Sequence, residues 1–232
     1  MQLFYCPNIQ KGETYLNQEE SRHCVKSLRK KSGDIIHITD GNGNFYVGII
    51  EDVSQKKCTF QIQSKKSIQK PDYSVHIAIA PTKNSDRIEW FIEKSVEIGV
   101  QKISLIQSAF SERKTINFGR MEKKAISALK QSMRAYFPEI IDIKNLSSFL
   151  EIADGDQKFV AHLENIETEH LRDLAKPKKS YLIIIGPEGG FSDQEITMIK
   201  DKDYKMAKIG NHRLRTETAG IVACTILNDI NC

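Results

Sequence analysis

Tyr181-Leu182-Ile183-Ile184-Ile185 runs directly into Gly186-Pro187-Glu188-Gly189-Gly190-Phe191-Ser192-Asp193-Gln194-Glu195. An unbroken apolar run of this length fits a strand buried on both faces, the condition of a parallel sheet covered by helices. The glycines then turn the chain. Ser192 and Glu195 have the spacing of a capping box that opens the next helix. Strand, glycine-rich turn and helix in that order define an α/β unit whose turn lies at the carboxyl end of a parallel strand, the edge where such sheets bind ligands. A glycine there lets backbone approach a ligand without side-chain bulk, although a tight strand-to-helix turn has the same composition. The turn is not Gly-x-Gly-x-x-Gly and no Gly-Lys-Ser/Thr follows it, so the dinucleotide and P-loop modes of phosphate binding lack their residues.

The chain on either side repeats this rhythm. Apolar runs predict strands at Val75–Ala80, Ile103–Gln107, Phe159–Leu163 and Met206–Ile209, which with Tyr181–Ile185 make a sheet of about five strands. Arg87–Ile98 has helical spacing of Ile88, Phe91, Ile92 and Val96, with Asp86 and Glu89 placed as a capping box. The last helix shows an apolar face of Ala219, Val222, Ala223, Ile226, Leu227 and Ile230. Before it lies a second dense cluster, Lys208-Ile209-Gly210-Asn211-His212-Arg213-Leu214-Arg215-Thr216-Glu217-Thr218. Its two arginines, two threonines and a glutamate exceed what a helix cap needs, though a solvated loop would also carry them. Around Arg120–Tyr136, Arg120, Lys123, Lys124, Lys130 and Arg134 fall in an arc of about 120° opposite an apolar face. That stripe suits a phosphate backbone or simply the wet side of an amphipathic helix.

Residues 1–70 read differently. Asp34–Thr39, Phe45–Val53 and Cys58–Gln63, separated by Asp40-Gly41-Asn42-Gly43-Asn44 and Gln55-Lys56-Lys57, form an antiparallel meander. With an early strand at Leu3–Cys6 and a helix from about Gln18 to Lys30, the segment has the parts of a small β-barrel. Polar residues 64–72, ending at Pro71-Asp72, mark the linker, giving domains at 1–70 and 72–232.

The formal net charge is +4, and its position matters more than its size. Residues 1–70 hold 11 Lys/Arg against 7 Asp/Glu, whereas residues 71–232 hold 23 of each, so the whole excess sits on the barrel half. A phosphate-bearing partner fits that asymmetry. Five scattered cysteines without Cys-x-x-Cys suggest reduced thiols, and six scattered histidines without zinc-ligand spacing suggest no metal. No apolar run has the length of a membrane span, so the chain reads as a soluble cytoplasmic protein. Gly-x-Ser-x-Gly is absent, and no local partner activates a cysteine.

Taken together, Gly186-Pro187-Glu188-Gly189-Gly190-Phe191-Ser192 and Ile209 to Ala219 closely resemble the RsmE family, 16S ribosomal RNA uridine-N3 methyltransferases of the SPOUT class. The likeness extends upstream through His23, Leu28-Arg29, Gly33-Asp34, Lys83, Asp86-Arg87, Lys94, Glu97, Gly99-Val100, Gln131-Ser132, Arg134 and Pro138. The resemblance implies a PUA-like RNA-binding barrel followed by a SPOUT α/β domain with a C-terminal trefoil knot. It also implies a homodimer, acting on 16S rRNA or the small ribosomal subunit with S-adenosylmethionine as methyl donor. The cofactor residues it implies are Leu163, Gly186, Pro187, Glu188, Gly189, Gly190, Ile209, Gly210, Leu214, Arg215, Thr216 and Thr218. Arg215 would stabilise negative charge on the base, and either Glu217 or Glu188 would orient it or move a proton. His23, Lys26, Arg29, Lys30, Arg87 and Arg134 would contact RNA. A nucleotide-dependent oxidoreductase lacks its glycine fingerprint here. A non-catalytic RNA-binding or ribosome-assembly factor on the same fold is the second reading.

Overall fold

The computed structural model describes residues 2–162 and 168–232, which divide into two compact units. Residues 1–70 and 126–137 make the first; 71–125 and 138–232 make the second. The short segment 126–137 thus groups with the barrel strands, although it follows the linker in sequence.

In the first unit, β1 (Leu3–Tyr5), β2 (Tyr15–Leu16), β3 (Ile35–Thr39), β4 (Asn44–Ile50) and β5 (Cys58–Ser67) form a barrel-like sheet in the order β1-β3-β4-β5-β2. Alternate residues of β4 point inward, and Phe4, Leu16, Ile36, Ile38, Ile50 and Phe60 fill the core. The turn between β3 and β4 is organised by buried Asp40. Its carboxylate accepts from the Asn42 and Asn44 amides at 2.8 and 3.1 Å and from the Gln10 side chain at 2.6 Å. Burial works against that charge, but the donors outweigh it and hold the carboxyl below its ordinary pKa. β5 continues to Ser67, so the first half of the expected linker is strand: its polar residues are exposed on a ladder with β4.

The early helix is shorter than its pattern suggests. Asn17 caps α1 (Gln18–Arg22) by accepting from the Glu20 amide at 2.9 Å, and the chain then widens into a π-turn over His23–Ser27. Arg29 sits at φ 54°, which ends any helical path. Buried Glu20 meets Lys130 at 2.6 Å, an ion pair inside the first unit. Desolvation raises the Glu20 pKa, and Lys130 opposes that rise.

The second unit is a six-stranded parallel sheet in the order β11-β9-β10-β6-β7-β8. Its chain order is β6 (Ser74–Ile79), α2 (Ser85–Ile98), β7 (Lys102–Gln107), α3 (Phe118–Gln131), β8 (Glu139–Asn145), α4 (Leu146–Ile152) and β9 (Gln157–Ala161). There follow α5 (Leu171–Leu174), β10 (Ser180–Ile185), α6 (Asp193–Lys200), β11 (Lys205–Ala207) and α7 (Thr216–Asp229). The additional strand, β8, lies at an edge and is only partly buried, so its sequence lacks the continuous apolar signal of the central strands. The capping box of α6 forms as its spacing predicts, with Ser192 and Glu195 exchanging both bonds. That of α2 does not: Asn84, two residues before Asp86, caps this helix, accepting from the Asp86 amide at 2.8 Å.

The cationic stripe on α3 is largely committed within the protein. Arg120 pairs with buried Glu89 at 2.6 Å, Lys124 with Glu93 at 3.8 Å and Lys130 with Glu20. Arg134 lies beyond the helix end, after Met133 at φ 55°.

α7 closes over α2 at a glycine. A Cβ added at Gly220 would lie 2.5 Å from the Phe91 ring and 3.0 Å from Ile79, inside van der Waals contact. Gly220→Leu should therefore overpack this contact, costing about 1–3 kcal/mol or more and lowering the thermal midpoint by several degrees. An unchanged melting curve would show that the two helices separate freely.

Candidate active site

At the carboxyl edge of the sheet the loops that follow β10 and β11 come together. β10 ends at Ile185, and the loop Gly186–Gly190 leads into α6 through Gly190 at φ 75°, a left-handed turn suited to glycine. The segment between β11 and α7 is tied to this loop twice. Thr216 donates its hydroxyl to the Gly186 carbonyl at 3.0 Å, and Arg213 donates to the Glu188 carbonyl at 2.8 Å. Where β9 ends, His162 N donates to the Ala207 carbonyl at 3.1 Å. These bonds explain why the 208–216 segment carries more polar residues than a cap requires.

A cavity of about 110 Å³ opens beside them, lined by Ala161, His162, Ile209, Gly210, Leu214 and Ala219, with His212 and Arg213 at its polar side. A side chain at Gly210 would meet, among the described residues, only Leu214, at 3.9 Å. The sequence-based set thus places Ile209, Gly210 and Leu214 on the cavity wall. Gly186, Glu188 and Thr216 stand in the adjoining bonded loops, with Pro187, Gly189 and Gly190 between and beside them. Thr218 is half-buried on the first turn of α7. Leu163 lies outside the described residues. Ala161 and His162 were missed, and their signal was positional: they are the last residues of an apolar strand at the ligand edge.

Three charged residues lie in these loops or at the start of α7. Arg215 occupies the N-cap position of α7 and is exposed, so its guanidinium is available to a ligand. Glu217, the second residue of the helix, is buried, with Oε1 3.8 Å from Arg87 Nε and, among the described residues, no hydrogen-bond partner for Oε2. Glu188 also has a buried oxygen, Oε1, without a hydrogen-bond partner among the described residues. Orphaned carboxylate oxygens are costly and mark places where a donor from a ligand would be accepted. His76, by contrast, is a core histidine. Burial, then nearby Lys102, pushes its pKa down to about 3, and Nε2 rests 2.8 Å from Ser104 Oγ.

The six residues expected to contact RNA are divided between the units. His23 and Lys26 line a polar groove of about 630 Å³ in the first unit, together with Arg22, Lys130 and Gln131. Arg29 follows the π-turn, Lys30 donates to the Ile35 carbonyl at 3.0 Å, and Arg134 also belongs to this unit. Arg87 belongs to the second unit, where it faces Glu217.

Residues 69–228 match the family model of the RNA methyltransferase domain, and residues 16–63 match the RNA methyltransferase PUA domain. Fold, loop cluster and these matches define an RNA methyltransferase. The "Ribosomal RNA small subunit methyltransferase E" of Buchnera aphidicola subsp. Acyrthosiphon pisum is 33% identical over 226 residues, covering 93% of this chain and 88% of that protein. The chain belongs to the ribosomal RNA small subunit methyltransferase E family. A probable rRNA-methyltransferase from Porphyromonas gingivalis superposes with a TM-score of 0.92 at 36% identity, covering 100% of this chain and 98% of the other. A putative methyltransferase from Legionella pneumophila, solved in complex with the bound cofactor SAM, gives 0.88 at 27% identity, with 100% and 98% covered.

Proposed function

We propose that this protein methylates N3 of a uridine in 16S ribosomal RNA, using S-adenosylmethionine held by the Gly186–Gly190 and Ile209–Thr218 loops. The observation that carries this reading is the cavity at Gly210, walled by apolar side chains beside two loops that Thr216 and Arg213 tie together. Apolar walls with a few fixed polar groups suit an adenosine moiety. Bound there, S-adenosylmethionine supplies an electrophilic methyl group on a sulfonium.

The protein's own task is to hold the base and manage its proton. N3–H of uridine must lose that proton as the new N–C bond forms, so negative charge develops on the ring. Arg215, exposed at the start of α7, stabilises that charge. Glu217, faced by Arg87, orients the approaching base, and Glu188, with an unpaired buried oxygen, takes the proton. The base reaches these groups unstacked from its neighbours. His23, Lys26, Arg29 and Lys30 provide phosphate contacts from the RNA-binding domain 1–70, while domain 72–232 carries the chemistry.

Two structural features complete the proposal. The strand order places β11 beyond β9, yet α7 bonds back to the end of β10, a path consistent with a trefoil knot. The active unit is a homodimer in the cytoplasm. Light scattering should give twice the chain mass, and a monomer would overturn that part.

The function is tested by incubating 16S RNA, or small subunits lacking the modification, with the protein and S-adenosylmethionine and digesting the RNA for mass spectrometry. 3-Methyluridine should form. No methyl incorporation despite cofactor binding would favour an assembly factor, and a methyl group on another atom would refute the N3 assignment.

A further inference from the structure

Phe110 is half exposed, at 51%, in the loop that follows β7. Single exposed apolar residues are ordinary on protein surfaces. This one differs in its setting. Its Cβ lies 3.0 Å from the place a Cβ would occupy at Gly189, so the ring stands beside the glycine loop of the proposed site.

The loop that carries it is held from both sides. The preceding amide, Ala109 N, donates to Glu195 Oε1 at 2.7 Å, the same carboxylate that closes the α6 capping box. Ser111 ties back to Ser108 through its hydroxyl and its amide, at 3.0 and 3.1 Å. Arg113 Nε donates to the Thr82 and Lys83 carbonyls at 3.1 and 3.2 Å, and Lys83 pairs with Glu112 at 2.8 Å. The loops after β6, β7 and β10 are thereby bound into one framework, with the phenyl ring at its open face. Lys114 is exposed four residues further on, and Arg113 has only carbonyl partners among these bonds. An exposed aromatic ring on a loop pinned from both sides is a platform on which an unpaired base can stack.

We infer that Phe110 is a stacking platform for the unstacked base presented to the active site. This rests on the methyltransferase reading above and adds a positioning residue to it. The chemistry favours a grip of this kind. N3 lies in the plane of the uracil ring, on the edge that pairs in a duplex and that the proton acceptor and the methyl donor must both reach. A ring held by its face leaves N3 free. Phe110 therefore acts on the base without touching the reacting bond.

The test compares Phe110→Ala, Phe110→Leu and Phe110→Tyr in single-turnover methylation of 16S RNA, with cofactor affinity by calorimetry and the thermal midpoint measured alongside. Alanine and leucine should both lower kcat/KM for RNA by about 10- to 100-fold, whereas tyrosine stays within about threefold of wild type. Cofactor affinity, melting and oligomeric mass should not change. A leucine variant as active as wild type would overturn the stacking role, because leucine restores bulk but no π-face. Parallel loss of cofactor affinity or of stability would assign Phe110 to the framework instead, and a changed mass would assign it to an interface between copies. A second measurement needs no turnover. Trp90 is the chain's single tryptophan, so a Trp90→Phe, Phe110→Trp double variant reports only from the loop. A short uridine-containing oligonucleotide should quench it. If RNA is not methylated but quenching occurs, the methyltransferase reading fails while the platform stands; absence of quenching overturns the platform.

Discussion

Gly210→Val will abolish S-adenosylmethionine binding in a protein that still folds. The expectation follows from one distance and one volume taken together. Among the described residues a Cβ at this position meets only Leu214, at the ordinary contact distance of 3.9 Å, so these residues leave room for a side chain. That room is the cavity of about 110 Å³, and the valine methyls would occupy it. Calorimetry should show affinity reduced by at least about 100-fold, equivalent to roughly 2.7 kcal/mol. The thermal midpoint without cofactor should stay near wild type, and the upward shift that cofactor gives the wild type should vanish. Undiminished affinity in the folded variant would move the cofactor away from this pocket. The contrast with Gly220 is instructive, since there the added atoms meet Phe91 and the fold itself suffers.

Arg215→Ala will leave both ligands bound and stop the reaction between them. The residue is exposed at the head of α7, and its backbone carbonyl accepts from Ala219 N at 2.7 Å, a bond that alanine keeps. The truncation thus removes the guanidinium alone. If that group stabilises charge that exists only during transfer, single-turnover methylation should fall by about 100- to 1,000-fold while RNA and cofactor affinities change little. A loss confined to KM would show that Arg215 binds RNA in its ground state. Full activity would return the arginine to the surface.

Much of the second unit was legible because its strands are buried on both faces and therefore apolar without interruption. Tyr181–Ile185 needs no partner to be recognised. β8 escaped because an edge strand can mix Asp142 and Lys144 with its isoleucines. The Asn84 cap was missed for a local reason: Asp86 and Glu89 also satisfy a capping pattern, and only the observed backbone selects the earlier residue. The lysines and arginines of α3 show the same ambiguity at larger scale. Helical spacing puts them on one face, but Glu20, Glu89 and Glu93, which bind three of them, come from remote positions.

The glycine-rich turn and the Arg-Thr-Glu cluster were legible as chemistry, since each combines residue types that a cap or a turn does not require. Their union was not. Sequence alone determined that this chain has a β-rich first segment, a parallel α/β second segment and two unusual loops at strand ends, because burial and backbone freedom leave marks on local composition. Tertiary structure decided that segment 126–137 belongs with the barrel strands, that Thr216 and Arg213 join the two loops, and that Phe110 stands beside Gly189. Those contacts link residues tens of positions apart, and no local propensity encodes which partner a polar or aromatic side chain will meet once the sheet has brought the strand ends together.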